Sequence, residues 1–119
     1  MLAVQSPPVL VVLTTGKEAF VRATAVLQMT LAVRKRAGVP VELLLLGPGV
    51  EILRANQRNS PAFGQQLDEL RREGVSVAAC ELSLENLGLT SDQMFAAERV
   101  RGGVEIADRL AAGYQVLTF

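Results

Sequence analysis

Apolar residues in this chain fall in short blocks separated by glycines and by longer mixed runs. Val9-Leu10-Val11-Val12-Leu13-Thr14 follows Pro7-Pro8 and is continuously apolar rather than alternating. That pattern predicts a strand buried on both faces, as in a parallel sheet. Val41 to Leu46 and Val75 to Cys80 repeat it, Arg99-Val100-Arg101 is a weak fourth strand, and Tyr114 to Phe119 is a fifth. Between them lie helix-compatible runs. Lys17 to Ala37 has no Gly or Pro and ends in Arg34-Lys35-Arg36 before Gly38, so cations sit at the negative end of the helix and a glycine stops it. Ala62 to Glu73 puts Phe63, Leu67 and Leu70 on one face, and Gly74 closes it. Val104 to Ala112 carries an apolar stripe of Val104, Ala107, Leu110 and Ala111, with Gly113 at its end. Shorter helical turns are expected over Val50 to Asn56, over Leu82 to Leu87, and over Gln93 to Ala97 behind a Thr90-Ser91-Asp92 cap. Strands alternating with helices over short links predict βαβ crossovers and a parallel sheet. There is no internal repeat and no long linker, so residues 1–119 are expected to form one domain.

The first helix departs from the usual surface pattern. From Ala19 to Val33 only Arg22, Thr24, Gln28 and Thr30 are polar. A helix apolar nearly all round should be covered on two sides, by the sheet and by a neighbouring subunit. The other reading is that the outward alanines tolerate water.

Composition then narrows the chemistry. The chain of 119 residues has 12 basic and 12 acidic side chains, no histidine, no tryptophan and one cysteine, and half of it is hydrophobic. A net charge of zero argues against a general nucleic-acid binder, which needs a basic face for phosphates. Without histidine there is no Ser-His-Asp or Cys-His catalysis and no His-ligated zinc. One cysteine makes no internal disulfide. No cofactor is implied, and no carboxylate pair has the spacing of a metal site. Met1 to Leu13 lacks a positive n-region and makes a poor signal peptide, and Ala19 to Val33 is too short to span a bilayer. A cytoplasmic protein is expected, with no membrane contact.

Ligands of parallel sheets bind beyond the carboxyl ends of the strands. Those ends are Thr14-Thr15-Gly16, Gly47-Pro48-Gly49, Cys80-Glu81 and Gly102-Gly103. Thr15, Gly16, Gly47, Gly49, Glu81 and Gly103 are therefore the candidate pocket around Cys80. Neither phosphate motif is present: the third glycine of a dinucleotide fingerprint would fall at Ile52, and no GxxxxGK[ST] exists. Thr15-Gly16-Lys17-Glu18 could hold a small anion or be an ordinary βα turn. Cys80 is either a small buried hydrophobe or a reactive thiol. A following helical turn would favour its thiolate, and Glu81, if close, would oppose it.

The whole chain resembles the DsrE/DsrF-like family, which includes TusD-type sulfur-relay subunits. The resemblance rests on Val9 to Gly16, on Leu45-Leu46-Gly47-Pro48-Gly49-Val50, and on Gly74 to Cys80 followed by Ser83-Leu84 and Gly88-Leu89. It continues through Gly102 to Ala107 and Gly113 to Phe119. It implies a three-layer α/β/α fold with a five-stranded parallel sheet, and homo- or hetero-oligomers, commonly trimers or hexamers. It also implies that a cysteine after the third strand carries a persulfide between sulfur donor and acceptor proteins, a position matched by Cys80. The segment Glu81 to Gly88 is acidic and lacks the paired arginines of TusD-type subunits, which places the chain nearer the broad DsrE-like group. The alternative is a non-catalytic oligomeric module binding a small ligand or partner at the same strand ends.

Overall fold

In the computed structural model, which describes residues 6–119, five strands form one all-parallel sheet in the order β4-β3-β2-β1-β5. They are β1 (Val9–Leu13), β2 (Val41–Leu45), β3 (Ser76–Cys80), β4 (Glu98–Val100) and β5 (Gln115–Thr118). Every residue of β1 and β2 is buried, as their unbroken apolar runs require. Residues 1–5 of the stretch read as a poor signal peptide lie outside the described residues.

The helices are α1 (Phe20–Ala37), α2 (Ser60–Arg72), α3 (Glu81–Asn86) and α4 (Gly102–Ala111), with 3-10 turns at Lys17–Ala19, Gly47–Leu53 and Ser91–Gln93. The turn expected over Gln93 to Ala97 lies earlier, at Ser91–Gln93, because Thr90 and Gln93 close it as a capping box. α1 and α2 cover one face of the sheet. Phe63, Leu67 and Leu70 of α2 and Ala23, Val26 and Leu27 of α1 join Val11, Leu13, Leu43, Leu45, Val77 and Ala79 in the main core. The edge of Phe20 meets the ring of Phe63 at 5.4 Å, and Gln66 Nε2 donates to Thr24 O across the helix pair. The second cover expected for α1 is thus supplied in part by α2. Buried Thr30 is no exception to the apolar pattern, because its hydroxyl donates to Val26 O at 2.7 Å.

The opposite face carries Leu10, Val12, Leu44 and Ala78, with Leu46, Val100, Ile106, Tyr114 and Val116 packed against them. The layers are therefore α/β/α. Because β4 and β5 are opposite edges, α4 must cross the whole of this face to connect them.

α4 corrects one expectation. Its apolar stripe of Val104, Ala107, Leu110 and Ala111 faces outward, and Val104 and Leu110 are 55% and 56% exposed. Gly102, Glu105, Ile106 and Arg109 face the sheet instead. These four are spaced i, i+3, i+4, i+7 and so share one side of the helix. The rotation is set at the first of them. A Cβ on Gly102 would lie 3.3 Å from Cys80 Sγ and 2.8 Å from Leu46 Cδ1, so the helix starts hard against β3 at that backbone. Once position 102 points at the sheet, positions 105, 106 and 109 must follow.

Candidate functional site

The carboxyl ends of the strands divide into two regions. In one, the turns after β1 and β2 lock together. A Cβ on Gly16 would lie 2.1 Å from Pro48 O, and one on Gly49 2.0 Å from Leu13 O. Nothing but glycine fits at either place, and the contact leaves no room for a ligand. The Gly16 N–H that could have received an anion donates to the Glu18 carboxylate at 2.9 Å. This turn is closed by its own side chain. Thr15 is half-buried beside it, and its hydroxyl has no partner among the described residues.

In the other region a cavity of about 600 Å³ opens between α3 and α4. It is lined by Cys80 and Leu46 at the strand ends, Glu81, Leu82, Ser83, Glu85 and Asn86 on α3, and Arg101, Gly102, Gly103 and Val104 at the start of α4. Of the residues expected to share a pocket, the structure brings Cys80, Glu81 and Gly103 together. Thr15, Gly16 and Gly49 lie outside the cavity. Gly47 acts one step back, its N–H donating to Ser83 Oγ at 2.8 Å.

Cys80 ends β3 and is only 6% exposed. Burial opposes its ionisation, but hydrogen bonds outweigh burial. The polar groups around the sulfur, first the Ser83 hydroxyl and then the amides of Ser83, Gly102 and Leu82, lower the thiol below its ordinary range. Ser83 Oγ already accepts from Gly47, which leaves the hydroxyl proton to point at sulfur. Glu81, expected to oppose the thiolate if close, does not figure among the leading influences. Ser83 and Gly102 were not expected in the pocket, although Gly102-Gly103 was read as a strand end. A serine three positions after the cysteine was a legible signal, since i and i+3 meet on a helical turn. Gly102 was not, because it reaches Cys80 only through the crossing of α4.

The arrangement is a recessed thiol with a lowered pKa, lining a cavity large enough for a small molecule or a protruding segment. Among the described residues no group of His, Cys, Asp and Glu could hold a metal ion.

The sequence model of the DsrE/DsrF-like family matches residues 8–119. The chain belongs to the DsrE/DsrF-like family. This family is associated with sulfur relay in general. Among solved structures the chain is similar to the YchN protein from E. coli, at TM-score 0.72 and 21% identity over 94% of this chain and 99% of that one. It is also similar to MTH1491 from Methanobacterium thermoautotrophicum, a protein of unknown function, at TM-score 0.73 and 20% identity over 96% of this chain and 100% of the other. BT1422 from Bacteroides thetaiotaomicron, likewise of unknown function, aligns at TM-score 0.68 and 18% identity over 92% and 93% of the two chains. At these identities the likeness is one of fold, and it covers nearly the whole of each chain. No curated protein matches the chain. No helix among the described residues is long and apolar enough to cross a membrane.

Proposed function

We propose that this DsrE-like protein is a sulfur carrier that holds a persulfide on Cys80. The observation that supports the reading best is a buried sulfur that lines a cavity, with the start of α4 and the Ser83 hydroxyl close enough to lower its pKa. An inert core thiol needs no such donors. In the loading step the Cys80 thiolate attacks the outer sulfur of a donor persulfide. The new S–S bond forms as the donor's S–S bond breaks, and the donor leaves as a thiolate. In the unloading step an acceptor thiolate attacks the outer sulfur of the Cys80 persulfide, and Cys80 leaves as its thiolate. No net oxidation occurs, so one cysteine is sufficient. The amides that stabilise the thiolate serve it equally as attacking and as leaving group.

Self-association is part of the proposal. Val21 on α1, Leu82 on α3, and Val104 and Leu110 on α4 are large apolar side chains exposed to water on both outer layers, where another chain could cover them. A homo-oligomer such as a trimer or hexamer would cover them, and Leu82 and Val104 stand at the cavity where a donor or acceptor protein would approach.

The test is mass spectrometry after incubation with a sulfane-sulfur donor. The expected result is a stable gain of one sulfur atom, about 32 Da, that disappears in Cys80→Ser. A Cys80 that gains no sulfur and resists alkylation while the protein is folded would sink the reading. That outcome would leave a non-catalytic binding module with a core cysteine.

A further inference from the structure

The second face of the sheet holds a charged group that the sulfur chemistry does not use. Glu42 is the second residue of β2, and its side chain is 7% exposed. Its Oε1 accepts from Arg109 Nε at 3.0 Å. Arg109 Nη2 also donates to Glu105 Oε2 at 3.1 Å. One guanidinium therefore serves two carboxylates. The second Glu42 oxygen, Oε2, is buried, and no donor among the described residues reaches it. The same guanidinium holds the Glu105 carboxyl beside Glu42, close enough for the two to act on one another. Two carboxylates held together on one cation, one of them with a buried orphan oxygen, are relieved of their repulsion by sharing a proton.

Among the described residues the charged groups that act on Glu42 are Glu105 and Arg109. α4 supplies Glu105 and Arg109. Tyr114 lies beneath Arg109, its ring centroid 5.4 Å from the guanidinium carbon. The flanking strands place Leu10 and Ser76 in register with Glu42, and neither titrates. The α1–α2 layer is on the far side of the sheet.

We propose that Glu42 carries a proton that it donates to Glu105, and that this shared proton latches α4 onto the sheet. With the proton, the trio has no net charge: a neutral acid, a carboxylate and a guanidinium. Without it, two carboxylates meet on one buried face with a single cation between them. Losing the proton to water then drives α4 away from β2. Burial first, and then contact with Glu105, push the Glu42 carboxyl up to about 7, so the latch loosens as pH rises through neutrality. The same helix starts at Gly102, which packs so closely on Cys80 that a Cβ there would lie 3.3 Å from the sulfur, so the latch bears on the thiol's surroundings. None of this depends on sulfur transfer.

Glu42→Gln tests it, since an amide can donate to Glu105 and accept from Arg109 as the protonated acid does. Hydrogen exchange of α4 amides, corrected for intrinsic rates, is followed from about pH 5 to about pH 9 alongside thermal unfolding. The wild type is expected to lose α4 protection about tenfold across that range, while Glu42→Gln keeps it. The protonated-acid C=O stretch in the infrared should be present in the wild type and absent in Glu42→Gln at neutral pH. Parallel pH profiles in the two proteins, or the absence of that band, overturn the shared proton. A wild-type stability that falls with pH while α4 exchange stays constant overturns the latch. Should Glu42→Gln not fold, Glu105→Gln replaces it. Removing the second carboxylate lets Glu42 ionise against Arg109, and the loss of protection must then vanish from the neutral range.

Discussion

A thiol recessed in a protein core is a poor nucleophile unless its anion is solvated by the protein. At Cys80 the pKa is lowered chiefly by the Ser83 hydroxyl and then by nearby amides, and Gly47 occupies the acceptor side of that hydroxyl. Ser83→Ala removes the hydroxyl and leaves the Gly47 N–H without its acceptor. The thiol should then rise towards its ordinary range, and the alkylation rate at neutral pH should fall by about three- to tenfold. The unpaired amide should cost about 1–2 kcal/mol in thermal unfolding. An unchanged rate would mean that the backbone amides alone set the thiolate. At this scale Cys80 was legible as the candidate, being the one cysteine and standing at a strand end. Its partners were only partly so. Ser83 follows from helical spacing, whereas the Gly102 amide arrives from 22 residues downstream in the chain.

Elements were read well where packing agreed with pattern. β1 and β2 are buried throughout, and α2 buries the face its spacing assigns. α4 was read inside out, because a hydrophobic stripe normally faces the core. Its rotation is dictated by the backbone contact at Gly102 and by the ion pairs of Arg109, so the stripe is left for solvent or for another chain. Leu110→Gln should therefore change monomer stability by less than about 0.5 kcal/mol. It should, however, weaken self-association measured by sedimentation. A large loss of stability at unchanged assembly state would contradict the outward placement. The glycine turns make a sharper contrast. Gly49→Ala drives a methyl group into Leu13 O and should cost about 3 kcal/mol or more. Gly103→Ala meets nothing within 4 Å, and in a helix it should be neutral or stabilising by about 0.5 kcal/mol. Thermal unfolding of the two variants checks both.

At the scale of the whole molecule, stability should pass through a maximum in mildly acidic solution. Glu51 is held below the usual carboxylate range first by its hydrogen bond from Arg54, and Glu105 first by its contact with Glu42. Both groups contribute stability above the unfolded value of 4.5, and it is lost as pH falls through their depressed values. Glu42 works in the other direction. Its raised value favours the folded state fully below 4.5, and that advantage is lost as pH rises to about 7. The loss is at most about 3 kcal/mol. Chemical denaturation across this range should show a decline on both sides, and a profile flat from about pH 5 to about pH 8 would contradict it.

The order of strands and helices, the parallel sheet and the candidacy of Cys80 were determined by the sequence itself. Burial on both faces imposes unbroken apolar runs, and the absence of histidine leaves a thiol as the strongest available nucleophile. Only the tertiary structure decided which strand ends make a cavity. Gly16 and Gly49 lock two turns shut, while α3 and α4 stand apart over Cys80. It alone brought Glu42 to Arg109 across 67 positions of sequence. Such choices depend on where α4 crosses the sheet, and that path follows from strand order, which no local pattern of residues encodes.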